Sequence, residues 1–387
     1  MRYIVSIFIA FIYIGCGSNS SDDSYKFFLY RLFTTEYFWS NEVSHHITYY
    51  KYHNPQDMID GLKYKKKDRW SMVLTQEQNS NFLTQKSTGF GFAYRKLEDG
   101  RNIIVFVRIN SPADIADIRR GDILLSVDDK NITLKNISDA TKNIDKQTKF
   151  LIYRNSIDKN ITINILAREY NFKVTKSTIV KTSNQEEVGY MRLDSFTSEA
   201  TEEIDKAFDF FKSKNIEKLV IDMRYNGGGS IITASILLDK LIRDIDDKVQ
   251  FTLTWNDNYQ NKNKIGRFET DNNSLDLDKI IFLTSKATAS ASELVINALR
   301  PYMLDNIITI GDRTHGKPVG MEGKTDGKYI YYLVDFVIAN ADGFYDYFNG
   351  LDVTNGCSVS DDLTHQLGDE NESMLKKALF FIDNGRC

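Results

Sequence analysis

The segment 288–293, Thr-Ala-Ser-Ala-Ser-Glu, places two serines and a glutamate at the head of an apolar run. A serine becomes a useful nucleophile only when a base takes its proton and N–H donors stabilise the oxyanion that forms. No histidine or aspartate lies beside Ser290 or Ser292 in the sequence, so a base must come from elsewhere. Ser290 and Glu293 also have the spacing of a capping box at the start of a helix. The segment therefore allows two interpretations, a helix cap or a nucleophile with a distant base.

The residues after Ser290 have the spacing of an amphipathic helix. Five apolar residues recur at helical intervals and form one face, which predicts a helix over Ser290–Leu299. The start of such a helix has N–H groups without intrahelical partners and the positive end of the helix dipole. A nucleophile at this position would lie beside ready-made oxyanion donors.

A second source of N–H donors is the sequence Asp-Met-Arg-Tyr-Asn-Gly-Gly-Gly-Ser at 222–230, which follows a predicted strand. Three successive glycines allow the backbone to approach a substrate without side-chain obstruction. The segment lacks the Gly-Lys-Ser/Thr ending of a phosphate-binding P-loop. Taken alone, it could equally be a flexible turn.

Two candidate bases, His315 and Lys317, follow the predicted strand at Ile307–Ile310. A lysine can act as a base if burial lowers its pKa enough to leave the amine neutral. A histidine needs less adjustment of its pKa, but no neighbouring carboxylate marks His315 as an oriented base. Both residues remain candidates at this point.

The residues from 175 to 387 alternate between predicted strands and helices, which indicates an α/β layer structure. The predicted strands are Val188–Leu193, Leu219–Arg224, Ile280–Thr284 and Ile307–Ile310. The predicted helices are Ala200–Lys212 and Ser290–Leu299. A small, mostly helical region is predicted before it, over residues 25–85.

Residues 86–168 consist of short β-rich runs and carry two segments, Ser87–Phe92 and Ser111–Leu124, that together resemble a PDZ domain. Such domains present backbone N–H groups to the terminal carboxylate of a peptide, which adds as a strand to a sheet edge. By this resemblance the carboxylate loop consists of Gly89, Phe90 and Gly91. The alternative is that the two glycines only permit a tight turn.

Together, the Gly-Gly-Gly, Ser-Ala-Ser-Glu and Gly-Lys blocks behind a PDZ-like module resemble the C-terminal processing (tail-specific) peptidases, which are Ser-Lys serine proteases. The resemblance covers roughly residues 86–325. It implies that Ser290 is the nucleophile, Lys317 the general base, and the N–H groups of Ala291 and Gly228 the oxyanion donors. It further implies a crotonase-like α/β catalytic core, no metal or other cofactor, and cleavage of polypeptides near their C-terminal tails.

Three departures from the family pattern accompany this match. Met321 stands where the family has a glutamine that helps to hold the lysine, and Gly227 stands where it often has proline. The interval from Ser290 to Lys317 (317 − 290 = 27) is slightly long, and a longer loop around residues 301–306 could absorb the difference. None of these departures removes a reacting group.

The first fifteen residues have the pattern of a signal peptide: a basic start at Arg2, an apolar run, and a polar segment afterwards. The run is shorter than the roughly 20 residues that a membrane-spanning helix needs. Residues 13–16, Tyr-Ile-Gly-Cys, resemble a bacterial lipobox, although leucine is usual at the first position. We therefore expect a lipid on Cys16, a linker over residues 16–24, and a membrane-anchored lipoprotein of the bacterial envelope that faces the periplasm or the cell surface. The alternative is a signal peptide that happens to contain a cysteine.

If Cys16 carries a lipid, Cys357 and Cys387 remain as an even pair in an oxidising compartment, where a disulfide can persist. The alternative is two free thiols. Neither cysteine has the histidine neighbours of a zinc site.

The charge pattern argues against nucleic acid as a partner. The 387 residues have a net charge of −4, and lysine and arginine are scattered among acidic residues. The sequence therefore favours a lipid-anchored serine endopeptidase with polypeptide substrates. One rival is a non-catalytic, PDZ-type peptide-binding lipoprotein, for which Met321 is the only hint. A more distant rival is glycan binding through exposed aromatic residues such as Tyr345 and Tyr347.

Overall fold

The computed structural model describes residues 24–387, so the predicted signal peptide, Cys16 and the linker up to residue 23 lie outside the described residues. The α-helices are α1 Ser24–Thr35, α2 Pro55–Leu62, α3 Gln76–Leu83, α4 Pro112–Ile115, α5 Leu134–Lys142, α6 Ala200–Ser213, α7 Ile231–Leu241, α8 Ala291–Met303 and α9 Ser373–Asn384. The β-strands are β1 Met72–Thr75, β2 Lys86–Gly89, β3 Phe92–Lys96, β4 Asn102–Val107, β5 Ile123–Val127, β6 Gln147–Arg154, β7 Lys159–Leu166, β8 Arg168–Asn171, β9 Thr175–Lys181, β10 Glu187–Leu193, β11 Lys218–Asp222, β12 Val249–Trp255, β13 Lys264–Arg267, β14 Lys279–Thr284, β15 Ile307–Gly311, β16 Val319–Gly320, β17 Gly323–Thr325, β18 Tyr329–Tyr332 and β19 Phe336–Ala339.

A five-stranded sheet with the order β15-β14-β11-β10-β9 positions the candidate site. Strands β10, β11, β14 and β15 are parallel to one another. The edge strand β9 is antiparallel to β10. The four parallel strands consist almost entirely of buried apolar residues, as strands covered on both faces do. In such sheets ligands bind outside the carboxyl ends of the strands, where the loops after β11, β14 and β15 lie.

A second five-stranded sheet, with the order β3-β4-β5-β6-β7, forms the β-rich module. Its core includes Phe90 and Phe150, whose rings meet edge to face at 5.1 Å. Ser111 caps α4 by accepting a hydrogen bond from the Asp114 N–H. The helix is a single turn, because Asp117 adopts a left-handed conformation (φ 61°) soon after it. Among residues 24–387, strand β3 pairs only with β4, so its other edge is open for a further strand.

The chain divides into two compact units that do not follow contiguous sequence boundaries. Among the described residues, one contains 24–79 together with 253–264 and 319–338, and the other contains 80–252, 265–318 and 339–387. In the first unit, β1 pairs with β18, a strand more than 250 residues later in the chain. The sequence pattern predicts an N-terminal region over 25–85 and a peptidase domain over 175–387. The structure instead assigns two segments of that second range to the first unit.

Helix α8 continues through Pro301 to Met303, so residues 301–303 do not form the loop that the sequence suggests. A proline within a helix removes the N–H that would bond the carbonyl four residues earlier. Here that carbonyl belongs to Asn297 and accepts a hydrogen bond from the Asn340 side-chain amide at 3.2 Å. A tertiary contact therefore satisfies the group that the proline leaves unpaired.

Cys357 and Cys387 form a disulfide with a Cα–Cα distance of 5.2 Å, which links the residues after α9 to the segment between β19 and α9. Across residues 24–387, none of the helices has both the length and the apolar composition needed to cross a bilayer.

Asp335 gives the first unit a pH-dependent stability. Burial raises the pKa of this carboxyl to about 6, while Lys324 and the Glu322 N–H oppose the rise. A raised pKa in the folded state means that the stability contributed by Asp335 is complete below about pH 4 and is lost as the pH rises through 6. We expect the unfolding free energy of the wild type, relative to Asp335→Asn, to increase by about 1 kcal/mol between pH 7 and pH 5. Denaturant titrations of both proteins would measure this, and a difference that does not change with pH would contradict it.

Candidate functional site

Three loops meet at the carboxyl edge of the parallel sheet. The loop that contains Gly227–Gly229, here called the glycine-rich loop, directly follows β11. Ser290 lies six residues after the end of β14, and Lys317 lies six residues after the end of β15. These strands are neighbours in the sheet, so segments that are far apart in the sequence leave it side by side. The topology thus collects all three sequence blocks at one edge.

Ser290 is the N-cap of α8 and has a backbone conformation that is unusual for a residue with a side chain. Its φ is 58° and its ψ is −116°, and its side chain is partly exposed. Residues other than glycine adopt such conformations only where the surrounding structure imposes them, and these positions cluster at active sites. A strained serine between a strand and a helix is also the arrangement of the nucleophile elbow in α/β-hydrolases.

Asn226 ties the glycine-rich loop to the segment around Ser290. Its carbonyl accepts hydrogen bonds from the Ala289 N–H and from the Ser292 hydroxyl, each at 3.1 Å. Its side-chain amide donates to the carbonyl of Leu193 at the end of β10 at 3.0 Å. The side chain is fully buried, so these bonds are shielded from competition with water.

Gly228 lies directly against the candidate nucleophile. A Cβ atom at this position would be 2.7 Å from the Ser290 Cβ and 2.9 Å from the Ala291 nitrogen, and its φ is 100°. Only glycine allows this close approach, because any side chain would clash with backbone and Cβ atoms.

The predicted oxyanion donors differ in their present partners. The Gly228 N–H already donates to the Asn226 Oδ1 at 2.9 Å, so in this conformation it is not available for an oxyanion. Within residues 24–387, the N–H groups of Ala291 and Gly227 make no hydrogen bond. The prediction for Gly228 therefore requires that its bond to Asn226 be released.

The Glu293 carboxylate connects the nucleophile segment with the candidate base segment. Its Oε2 accepts the N–H groups of Ser290 and Lys317, each at 2.8 Å. Its Oε1 accepts the Gly316 N–H at 2.6 Å and the Thr314 hydroxyl at 2.5 Å. One buried side chain thus fixes the backbone positions of Ser290 and Lys317, which are 27 residues apart in the sequence.

Burial raises the pKa of the Glu293 carboxyl, and the four hydrogen bonds oppose this rise. Burial raises the pKa of the Tyr347 hydroxyl well above its ordinary value, and the nearby Glu293 charge raises it further. Tyr347 is only 3% exposed, so it does not belong to an exposed aromatic surface as the glycan-binding hypothesis requires.

The other candidate base, His315, is held by its backbone, whose N–H donates to the Thr288 carbonyl at 2.9 Å. This bond also joins the segment after β15 to the segment before Ser290. Of the sequence-predicted residues, the structure brings Ser290, Ala291 and Gly228 into direct contact. It links the Lys317 backbone to them through Glu293.

Sequence reasoning missed the role of Arg224, whose side chain is fully buried. It pairs with Asp222 at 2.9 Å and makes a two-pronged contact with Glu372 at 2.7 and 2.8 Å. Glu372 is also the N-cap of α9, so this pair fixes the C-terminal helix to the end of β11. The Asp-x-Arg spacing after a strand was visible in the sequence, but the partner 148 residues later was not.

In the predicted carboxylate loop of the β-rich module, Gly89 ends β2 opposite Arg168, whereas Phe90 and Gly91 lie between β2 and β3. The carbonyls of Phe90 and Gly91 accept bonds from the Ala113 and Arg108 N–H groups, each at 2.8 Å. For the part of the chain that the structure describes, the N–H groups of Phe90 and Gly91 themselves have no partner. They precede the open-edged strand β3, which is where a peptide would add as a strand.

No group of three or more His, Cys, Asp or Glu side chains in residues 24–387 is placed to hold a metal ion.

Three family models match parts of the chain. Residues 187–330 match Peptidase family S41, residues 103–154 match a PDZ domain, and residues 24–72 match the Peptidase S41 N-terminal domain. Along the chain, the match to the N-terminal domain comes first, the match to the PDZ domain second and the match to the peptidase family third.

Curated relatives include the chloroplastic C-terminal processing peptidase of Tetradesmus obliquus, which is 27% identical over 56% of this chain and 48% of its own length. The chloroplastic carboxyl-terminal-processing peptidase 1 of Arabidopsis thaliana is 28% identical over 65% of this chain and 51% of its own. The carboxy-terminal processing protease CtpB of Bacillus subtilis is 26% identical over 67% of this chain and 53% of its own. The chain thus spans about half the length of the curated relatives it matches.

Among solved structures, an S41 protease from Bacteroides fragilis aligns with a TM-score of 0.79 over 97% of this chain and all of its own, at 22% identity. The photosystem II D1 C-terminal processing protease aligns with a TM-score of 0.55 at 18% identity, over 92% of this chain and 97% of its own. At these identities the alignments show that the fold is shared.

Proposed function

Because the chain is a member of peptidase family S41, with a PDZ domain and the family's N-terminal domain, we propose that it is a serine endopeptidase that cleaves the C-terminal tails of polypeptides. The proposed reacting groups are the Ser290 hydroxyl and the Lys317 amine. No metal or other cofactor takes part in this mechanism.

In the proposed mechanism, the Ser290 Oγ attacks the scissile carbonyl carbon while the neutral Lys317 amine accepts its proton. The oxyanion is stabilised by the Ala291 N–H and by an N–H of the Gly227–Gly228 segment. Lys317 then gives the proton to the leaving amine, and the C–N bond breaks to leave an ester on Ser290. Water attacks this ester with Lys317 again as the base, which releases the new carboxyl terminus and restores the serine.

The observation that carries this proposal is the contact of one buried carboxylate, Glu293, with the backbones of both Ser290 and Lys317. Catalysis needs nucleophile and base held in a fixed relation, because small displacements cost large factors in rate. The positive φ of Ser290 and the close approach of Gly228 support the same assignment.

The β-rich module supports tails as the substrate class. An extended peptide can pair with the open edge of β3 while its terminal carboxylate binds the N–H groups of Phe90 and Gly91. This arrangement selects chains by their free C-terminus and would deliver them to Ser290.

We also propose that the chain is exported and anchored in the bacterial envelope by a lipid on Cys16, facing the periplasm or the cell surface. The lipobox-like sequence at residues 13–16 supports the anchor. The disulfide between Cys357 and Cys387 supports an oxidising compartment.

The function is tested by incubating the purified protein with an unstructured polypeptide that carries a free C-terminal carboxylate, and with the same polypeptide amidated at its C-terminus. We expect fragments by mass spectrometry, with kcat/KM about tenfold lower for the amidated chain because it cannot fill the carboxylate loop. Tight binding of the free tail without any cleavage would instead favour a peptide-binding lipoprotein. If the protein showed no binding of the tail and no cleavage, that result would contradict both functions.

Glu293→Gln is expected to lower kcat by about tenfold to a hundredfold with little change in KM, since the amide replaces an acceptor oxygen with a donor and leaves buried N–H groups unpaired. Glu203→Gln is a matched control, because Glu203 also accepts four hydrogen bonds, from Gln85, the Val174 N–H and two Thr175 groups. Both substitutions should lower the Tm, but only the one at Glu293 should lower kcat. Equal kcat values for the two variants would show that Glu293 has a structural role alone.

A further inference from the structure

The first unit exposes a cluster of aromatic rings that its own fold does not use. This aromatic surface consists of Phe27 on α1 and of Tyr49 and Tyr50 in the 3-10 helix Tyr49–Lys51. Phe27 is 68% exposed and Tyr50 is 82% exposed, and the Phe27 and Tyr49 rings lie 4.9 Å apart. Tyr30 meets Tyr49 edge to face at 6.1 Å. Rings from two chain segments form one apolar patch here, and such patches mark interaction sites more often than single exposed residues do.

The aromatic surface lies on the side of α1 away from the core. Leu29, Leu32 and Phe33 are fully buried, whereas Phe27 and Arg31, one turn apart, are exposed. The fold of the unit therefore does not explain why a phenylalanine occupies position 27. A partner outside the folded chain would explain it.

We propose that the aromatic surface lies in the interfacial layer of the lipid bilayer to which the chain is anchored. This inference rests on the proposed lipid at Cys16. Ser24, where α1 begins, is eight positions after Cys16, and a fully extended chain spans at most about 29 Å over that interval. Phe27 follows three residues later, so the anchor keeps this surface within reach of the lipid headgroups.

The chemistry of the aromatic surface suits that layer. Tyrosine has an apolar ring and a polar hydroxyl, and such side chains are enriched where hydrocarbon meets water. Lys51 follows Tyr50 and is exposed, which suits anionic headgroups. The lipid tether holds the unit near the bilayer and thereby raises the effective concentration of the aromatic surface at the headgroups. The contact would fix the orientation of the first unit at the membrane.

The proposal is tested with the full-length lipidated protein in vesicles of phosphatidylcholine and phosphatidylglycerol with brominated acyl chains. Tyr50→Trp places a fluorescent reporter in the aromatic surface, and Phe380→Trp on α9, where Phe380 is 46% exposed, is the matched control. Trp70 and Trp255 are buried and contribute a constant background together with Trp39. We expect bromine to quench at least half of the fluorescence added at position 50 and little of that added at position 380. Equal quenching at both positions, or none at position 50, would overturn the proposal.

A second arm separates this inference from the lipid anchor. This arm uses the chain without lipid, residues 17–387, which retains every described residue. It is mixed with vesicles of the same two lipids whose acyl chains carry no bromine. Replacing Phe27 and Tyr50 by serine should reduce the vesicle-bound fraction at least fivefold while leaving cleavage of a soluble peptide unchanged. Mass spectrometry of the Cys16 peptide reports independently on the lipid. A dimer in solution that dissociates on the double substitution, with no vesicle binding by the wild type, would assign the surface to a second copy and overturn the proposal.

Discussion

Ser290→Ala is expected to lower kcat/KM for tail cleavage by about 10⁴-fold or more, because no other group can form the covalent intermediate. The substitution removes one oxygen atom and leaves the Ser290 N–H free to donate to Glu293. We therefore expect the fold and the binding of peptide tails to persist. Cleavage measured by fragment release, alongside tail binding to the same protein, checks both parts of this expectation.

Ser292→Ala is the control for this substitution, since it removes a hydroxyl from the same segment, two residues later. The Ser292 hydroxyl is fully buried and donates to the Asn226 carbonyl, so it has a structural partner. We expect a loss of stability of about 1 kcal/mol and less than a tenfold change in kcat/KM. If Ser292→Ala abolished cleavage while Ser290→Ala retained it, the nucleophile would be misassigned.

Lys317→Met is expected to reduce kcat/KM to nearly the level of Ser290→Ala, because groups that act as a unit lose most of their effect when either is removed. The Lys317 backbone N–H still donates to Glu293 in this variant, so its segment should keep its position. Lys317→Arg should be equally inactive, because a guanidinium keeps its proton and cannot act as a base. Single-turnover assays and tail-binding measurements would separate the loss of chemistry from a loss of binding.

His315→Ala and Lys286→Met provide controls for the assignment of the base. His315 is the other sequence-predicted candidate, and Lys286 is an exposed lysine after β14 that pairs with Asp312. We expect both variants to retain cleavage within about tenfold of the wild type. Loss of cleavage in His315→Ala together with activity in Lys317→Met would transfer the role of base to the histidine.

The connections around Arg224 explain how remote segments support the site. Arg224 joins the end of β11 to Asp361 and to Glu372, and Asp361 also pairs with Arg120 of the β-rich module. Tyr225, directly before Asn226, donates to the same Asp361 carboxylate. The C-terminal segment and the β-rich module therefore contact the chain immediately before the glycine-rich loop.

The sequence by itself predicted the local elements and the candidate reacting groups. Apolar periodicity located the core strands and helix α8. The burial of one face of an element produces a short-range pattern, which can be read within about 10 residues of the sequence. The order of three short motifs identified Ser290 and Lys317 as candidates. Glu293 appeared in the sequence only as the partner of Ser290 in a helix cap.

Only the tertiary structure decided how these elements support one another. The parallel order of β11, β14 and β15 places Glu293 against Thr314, Gly316 and Lys317, and no local pattern encodes contacts across more than 20 residues. The same holds for the bond between Gly228 and Asn226, which depends on loop geometry, and for β18, which pairs with β1 in the first unit. Periodicity reflects which face of an element is buried, whereas buried hydrogen bonds depend on which elements the fold makes neighbours.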